Sequence, residues 1–390
     1  MKLLPFDYAI RNLGRSNTRL VLSVLGSALV IVLVLAAAAF VRGMGASLRV
    51  SGSEHNVLIM GAGSEDSVER SEIEAAAPSV LEASVPGIRS RLGVAYVSPQ
   101  VHVMLPVRTE SQTEKKRQVM IRGVTPTALL VHEQVRLIEG RLPSPGSDEV
   151  LVGRMVGTTL GVADADLGVG KILHIDGKPW TVSGRFAAPG TVMEGEVWTS
   201  LADLMTATKR TTISCVLLTL DPDEAEFADV AAFTKMRPDL ELVAMPEREY
   251  YSRMAGFFGP IKVVAWVTAG LIALGGLFGG LNTMYAAFSS RVRELGTLQS
   301  IGYRRLAIVV SLVQESLLAS AAGSIIACVI ALIVLDGLAV RFSMGAFGLL
   351  VDPIVIGIGL LAGLVLGLFG SLPPAARCLR LSIPVALKAA

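Results

Sequence analysis

The sequence predicts an integral membrane α-helical protein with four transmembrane helices and a large mixed α/β extracytoplasmic domain inserted between helices 1 and 2. Composition is the first observation behind this. Charged residues make up only 17% of the 390 and hydrophobic ones 52%, with a mean hydropathy of +0.59, whereas a soluble domain carries about a quarter charged residues. The second is clustering: the apolar residues concentrate at 20–41, 263–288, 306–335 and 354–372, each reaching the roughly 20 residues that cross a hydrocarbon core. A lone strand cannot satisfy its backbone in lipid, so these runs are helices. The third is the placement of Lys and Arg at the run ends, which orients the chain.

In chain order, residues 1–19 read as a cytoplasmic amphipathic segment carrying Lys2, Arg11, Arg15 and Arg19. Transmembrane helix 1 covers 20–41. The "AAAAF" near its end offers a cleavage-like site, but the apolar run exceeds the 7–15 residues of a signal core, so an uncleaved anchor is expected. The extracytoplasmic domain covers 42–245, enough chain for its own core. In it "QVHVMLPVR" (100–108) and "RQVMIRGV" (117–124) alternate on either side of the polar tip "TESQTEKK", a hairpin signal. A second hairpin has "KILHI" and "PWTVSGRF" flanking Asp176-Gly177, a pair that accepts the positive φ angles of a type I′ turn. "SEIEAAAP" and "DPDEAEFADVAAFTKM" carry helical spacing with acidic first turns.

Residues 246–288 are expected to form a stalk running into transmembrane helix 2. Pro246 suits the first turn and Glu247 and Glu249 its positive end, and Gly256, Gly259 and Pro260 are placed to kink it. A cytoplasmic helix at 289–306, transmembrane helix 3 at 307–335, a short extracytoplasmic loop at 336–352, transmembrane helix 4 at 353–373 and a cytoplasmic tail at 374–390 follow. Arg291, Arg293, Arg304 and Arg305 precede helix 3 and Arg377, Arg380 and Lys388 follow helix 4, while the loop at 336–352 holds only Arg341. Both termini are therefore expected in the cytoplasm.

Several function classes are disfavoured. "GVGKI" (168–172) has Ala165 where a P-loop needs glycine and Ile172 where it needs Ser or Thr. His55, His102, His132 and His174 lie far apart without partners at ligand spacing, so they read as scattered histidines and not as a metal site. No Gly-x-Ser-x-Gly or His-Glu-x-x-His motif occurs, and neither a catalytic residue nor a bound cofactor is expected. The three cysteines, Cys215, Cys328 and Cys378, fall in three compartments and are expected to form no internal disulfide. A net charge of +2 is too small to point to nucleic acid.

Within the helices, Gly275/Gly279, Gly276/Gly280 and Gly359/Gly363/Gly367 repeat at four-residue spacing. They provide flat faces for packing within the bundle or between two copies, or a lining for a substrate path. Glu315 is costly inside a span, and is read as either a buried polar contact or a coupling residue. Lys262 and Asp336 lie at outer ends, where snorkelling accounts for them. Between helices 2 and 3, Val292, Leu295, Leu298 and Ile301 recur near one side of a helix and Arg291, Glu294, Arg304 and Arg305 face elsewhere, with Gly302 expected to end the helix.

The stretch "YAAFSSRVRELGTLQSIGYRRLAIVVSLVQESLLASAAG" resembles the core of the MacB/FtsX-type (MacB-like) permeases of ABC transporters. "IRGVTP" and "EGRLPSPGSDEVLVGR" look like that family's extracytoplasmic domain, "RNLGRSNTRLVLSVLG" like its first span and "PPAARCLRLSIPVALK" like its C-terminal end; Gln299 departs from the Arg common there. The resemblance implies that Arg291, Arg293, Glu294, Leu295, Leu298, Ile301, Gly302, Tyr303, Arg304 and Arg305 form the coupling segment for a partner ATPase dimer, which binds the ATP and Mg. It further implies a second permease copy or a similar permease, a periplasmic adaptor or substrate protein, and export or extraction at the outer face of the inner membrane. A lipoprotein-releasing (LolC/LolE-like) permease and an FtsX-like regulator of a cell-wall hydrolase are the alternatives.

Overall fold

The computed structural model describes residues 6–13, 17–111, 116–342, 345–380 and 383–388. The chain divides into two compact units: residues 1–43, 260–338 and 349–390 form one, and residues 44–259 with 339–348 form the other.

The first unit holds the long apolar helices. After the short α1 (Phe6–Leu13), α2 runs from Asn17 to Ser51, its residues from Met44 onward belonging to the second unit. The helix therefore continues past the apolar run at 20–41. Among the described residues, four helices are long and apolar enough to cross a membrane: α2 itself, Gly259–Ser289, Arg305–Leu335 and Pro353–Cys378.

The second unit is a mixed sheet with helices on it. Chain order gives β1 (Asn56–Gly61), β2 (Ile73–Glu74), α3 (Ala77–Ser84), β3 (Ser90–Arg91), β4 (Val94–Ala95), β5 (Val97–Thr109) and β6 (Arg117–Val124). There follow α4 (Ala128–Val131), β7 (Arg136–Gly140), β8 (Glu149–Gly153), α5 (Val156–Leu160), β9 (Ile172–Ile175), β10 (Lys178–Ala187), β11 (Val197–Ser200) and α6 (Leu201–Thr208). β12 (Thr212–Ile213), β13 (Cys215–Thr219), α7 (Phe227–Met236), β14 (Leu242–Pro246) and α8 (Glu247–Phe257) complete it up to the membrane-directed segment. The strand order is β14-β1-β13-β5-β6-β11-β8-β10-β7, with β9 pairing both β10 and β5. Those last two pairings close β5, β6, β11, β8, β10 and β9 into a ring. Long β5 makes this possible, because Val97–Gln100 pair with β13, Val101–Val107 with β6, and Val107–Thr109 with β9.

Both hairpins expected from alternation are present. β5 pairs antiparallel with β6, Met104 opposite Met120; residues 112–115 of the polar tip lie outside the described residues. β9 and β10 turn through Asp176 (φ 49°) and Gly177 (φ 86°), both left-handed as a type I′ turn requires. β1 and β13 are buried on both faces, as central strands covered on both sides are. The core gathers Val101, Ile121, Val152, Leu173, Trp180 and Val216.

"SEIEAAAP" is not helical at its start. Ile73–Glu74 pair with Thr212–Ile213, and α3 begins only at Ala77, with Pro78 in its first turn. Edge pairing outcompeted a short local helical pattern, which is weak without tertiary support. The helix in "DPDEAEFADVAAFTKM" starts at Phe227, set by a capping box between Glu226 and Asp229.

The stalk breaks at Phe258: α8 ends at Phe257 and α9 (Gly259–Ser289) begins anew with Pro260 in its first turn. Helix α10 (Val292–Ser300), α11 (Arg305–Ile330), α12 (Pro353–Cys378) and α13 (Ile383–Lys388) follow. A π-helical turn at Ala331–Leu335 continues α11, and α12 carries Pro373 and Pro374 inside it. The segment at 336–352 holds a hairpin, β15 (Ala339–Phe342) with β16 (Gly345–Gly348), that belongs to the second unit. Asp336, read as a snorkelling residue, accepts a 2.9 Å hydrogen bond from the Val351 amide.

The glycine faces separate into two groups. Those of α12 are packed: an added Cβ at Gly359 would meet Leu35, at Gly363 the hydroxyl of Ser324, and at Gly367 that of Ser320. α11 answers with its own small-residue face, and Ser324 bonds back to the Ser320 carbonyl at 2.8 Å, so its hydroxyl is satisfied within the helix. On α9 only Gly276 packs, against Val30; Gly275, Gly279 and Gly280 meet nothing in this chain. Only 6% of the most apolar window of α9 is buried. Gly279 and Gly280, together with Gly276, line a cavity of about 470 Å³ with Ser23, Ser27 and Ser320. The closest helix approach falls at Gly323, where a Cβ would lie 2.9 Å from the Val24 carbonyl and 3.1 Å from the Ala28 nitrogen. Gly323→Val should therefore cost about 1–3 kcal/mol by overpacking. Gly275→Val should leave the thermal midpoint of the detergent-solubilised monomer unchanged, and a comparison of the two midpoints checks the pair.

Candidate functional site

The segment between α9 and α11 is built on a buried side and an exposed side. α9 ends at Ser289, the Arg291 amide donates to the Phe288 carbonyl at 3.1 Å, and α10 starts at Val292. Val292 and Leu295 are buried with Phe288, Ile308, Leu379 and Ala386, and Leu298 packs partly against them. Gly296 permits the approach of α13, since a Cβ there would lie 3.0 Å from that of Ala386. The helix ends as its sequence indicates. Gly302 has φ 103°, its amide donates to Gln299 and that of Tyr303 to Leu298, both at 3.1 Å, which is the Schellman arrangement.

Two positions depart from the expected faces. Ile301, grouped with the apolar side, is 70% exposed, because it caps the helix and its direction follows the turn and not the helical period. Arg291, grouped with the outward charges, turns inward: Nη1 donates to Glu315 at 3.0 Å and Nε to Glu294 at 3.2 Å. Glu315 lies buried on α11, and its other oxygen accepts from Arg19 of α2 at 2.5 Å. One carboxylate thus joins α2, the cap of α10 and α11. Shared between two guanidinium groups, it keeps charge-assisted bonds on both oxygens, the condition for holding a charge where water is scarce. Arg293, Ile301, Gly302, Arg304 and Arg305 remain on the exposed side, with Tyr303 and Glu294 half-buried. Gln299, where the resemblance has arginine, accepts a long 3.4 Å contact from Arg305.

The second unit contains a buried polar network that sequence reasoning missed. Arg122 of β6, 2% exposed, donates from Nε and Nη2 to the two oxygens of Glu196, both at 2.7 Å, and from Nη1 to Gln100 at 3.0 Å. Glu196 also accepts from Trp198 Nε1 at 2.9 Å, and the guanidinium lies 5.5 Å from the Trp198 ring centre. His102 and His132, read as scattered, meet here on the side-chain amide of Gln100, at 3.1 and 3.0 Å. Burial, reinforced by the Arg122 charge, lowers both imidazoles well below their ordinary value and keeps them neutral. Burial likewise raises the Cys215 thiol to about 12, so it behaves as a small apolar side chain.

Glu247, the first residue of α8, lies beside this network, its Oε1 3.9 Å from His132 Nδ1. Its Oε2 accepts from the Ser53 amide and from Asn56 Nδ2, each at 2.9 Å. The end of α2 comes so near that a Cβ on Gly52 would lie 2.7 Å from the Arg248 Cα. Burial raises the Glu247 carboxyl to about 7, against the pull of Ser53, Asn56 and Arg122. The motif "PEREYY" was legible as a helix start, but nothing local signalled that its first glutamate would be enclosed.

A family model described as a MacB-like periplasmic core domain matches residues 20–235, and one described as an FtsX-like permease C-terminal matches residues 266–383. The chain belongs to the MacB/FtsX-type ABC transporter permeases. Two solved structures are similar: the periplasmic region of MacB from Actinobacillus actinomycetemcomitans and the extracellular domain of the noncanonic ABC-type transporter YknZ from Gram-positive bacteria. The first is 13% identical, with a TM-score of 0.40, over 53% of this chain and 95% of its own. The second is 14% identical, with a TM-score of 0.36, over 49% of this chain and 99% of its own. No curated protein matches the chain. As a MacB/FtsX-type permease, it is a multi-pass membrane subunit with a periplasmic or extracellular domain, and membership implies a partner ATPase.

Proposed function

We propose that this permease receives the closure of a separate ATPase dimer on the exposed side of residues 291–305 and passes it to the extracytoplasmic domain. The motion exports or extracts a substrate at the outer face of the inner membrane. ATP and Mg bind in the ATPase, two permeases pair, either as two copies or with a similar chain, and both termini lie in the cytoplasm. A periplasmic adaptor or substrate protein completes the assembly.

The observation that supports this reading is the Glu315 carboxylate, which ties Arg291 at the cap of α10 to Arg19 of α2. α2 continues unbroken to Ser51. Force applied beside Arg291 is thus handed to a helix that ends in the outer domain, with no need for a wide polar channel.

Glu294 is the test residue, since it is half-buried and its carboxylate pairs with Arg291. With the permease and its ATPase reconstituted together, Glu294→Lys should reduce permease-dependent stimulation of ATP hydrolysis at least fivefold while leaving the thermal midpoint of the permease unchanged. Full assembly, stimulation and transport in the variant would show that the ATPase seats elsewhere.

A further inference from the structure

Between the last turns of α2, α8 and the sheet, the outer domain holds a pocket of about 130 Å³ whose lining residues all belong to the second unit. Its walls are Met44, Leu48, Met120, Met254, Phe258 and Phe347. Methionines of this density make a soft, adaptable wall suited to an apolar body of variable shape. The volume approaches that of an engineered apolar cavity, about 150 Å³, that admits benzene, so the body is about one ring or a six-carbon chain.

The polar side of the pocket narrows the chemistry further. Ser47, 5% exposed, faces the pocket, and its hydroxyl is buried without a hydrogen-bond partner. The neighbouring serine on the same helix does not share this state: Ser51 donates to the Ser47 carbonyl at 2.7 Å and accepts from the Val192 amide at 2.9 Å. A buried hydroxyl left unpaired is unfavourable, and a ligand hydroxyl in the pocket would satisfy it. Arg122 also borders the pocket, yet both of its outer nitrogens are committed to Glu196 and Gln100. It offers no unpaired cation for an anionic ligand. Glu69, the remaining carboxyl on the wall, is half-buried, and burial raises its pKa, which weakens its attraction for a cation.

We infer that this pocket binds a small uncharged amphiphile, an apolar body of about one ring carrying a single hydroxyl that bonds Ser47. The ligand sits among the ends of α2 and α8, and its recognition requires neither ATP nor the partner subunits. Occupancy and ATPase coupling are therefore separable, and failure of one leaves the other standing.

The probe is 4-fluorophenol, followed by ¹⁹F NMR with the full-length chain in phosphatidylcholine nanodiscs. The expected result is saturable binding above the partition into empty nanodiscs. 4-Fluorobenzoate, charged and of similar size, should bind at least tenfold more weakly, and Ser47→Ala should weaken 4-fluorophenol about tenfold. Met254→Trp and Met44→Trp fill the pocket from different elements and should each abolish the saturable component. Either one retaining its folded midpoint suffices for the comparison. Binding that never saturates, that survives both tryptophan variants, or that accepts the benzoate equally overturns the inference. Unchanged affinity in Ser47→Ala overturns the assignment of the hydroxyl.

Discussion

Replacing Arg122 with methionine should lower the unfolding midpoint of the outer domain by about 10 °C. The side chain is 2% exposed and its two-pronged bond to Glu196 has both contacts at 2.7 Å. Removing it leaves the Glu196 carboxylate, 6% exposed, with Trp198 Nε1 as its remaining short contact. Breaking a buried pair from one side costs about 3–5 kcal/mol, because the other charge stays behind uncompensated. In a domain of this size 1 kcal/mol moves the midpoint by about 2–4 °C. The double variant Arg122→Met, Glu196→Leu removes both charges and should recover most of the loss, since an apolar pair of similar volume is often no less stable than a buried ion pair. Trp180 and Trp198, both buried in this domain, report the transition through their fluorescence. A single variant within about 2 °C of the parent, or a double variant no better than the single, would show that the network does not hold the sheet together.

Glu247→Gln should change how the outer domain's stability depends on pH. The folded carboxyl, raised to about 7 by burial, binds a proton over a range where the unfolded one, near 4.5, has released it. The native state therefore holds more protons between these values, and stability falls as pH rises through them. The contribution is complete below about 4.5 and lost by about pH 7, on the order of 3 kcal/mol over the interval. His102 and His132 act in the opposite sense. Held neutral by burial, they gain no proton on acidification while the unfolded chain does, so their contribution is present above the ordinary imidazole value and lost as pH falls below it. The parent curve is a sum of opposing slopes, and the difference between parent and Glu247→Gln carries the slope of the carboxyl together with any change at His132, 3.9 Å away. That difference should move in favour of the variant as pH rises from 4.5 to 7. A difference flat across the interval would mean that Glu247 is ionised throughout in the folded protein.

The parts of the fold that were legible in the sequence are those whose causes are local. Each span announces itself by a long, predominantly apolar run, because lipid removes every alternative to the helix for an isolated segment. Asp176-Gly177 defines its turn, and Gly302 its helix end, because each supplies the positive φ that the backbone requires there. The buried side of α10 was readable at Val292 and Leu295 for the same reason, since the helical period operates within a few residues. It stopped being reliable at Ile301, where the helix itself stops.

Glycine spacing shows how far such reading extends. Gly359, Gly363 and Gly367 on α12 and Gly275, Gly279 and Gly280 on α9 carry the same signal, yet the first set is packed and the second is not. A four-residue repeat creates a flat face, but what covers that face is decided by another helix. Gly323 makes the closest approach without belonging to any repeat.

What the sequence determined by itself is therefore the membrane helices, the placement of a large mixed domain between the first two, the helix α10 with its cap, and the family. What only the tertiary structure decided is which polar groups meet. Arg122 finds Glu196 across 74 positions, Asn56 finds Glu247 across 191, and Arg19 finds Glu315 across 296. Periodicity and turn chemistry act over a handful of residues, whereas a buried charge is tolerated only where distant segments bring its partner. Such partners exist once the sheet has formed and the helices have packed.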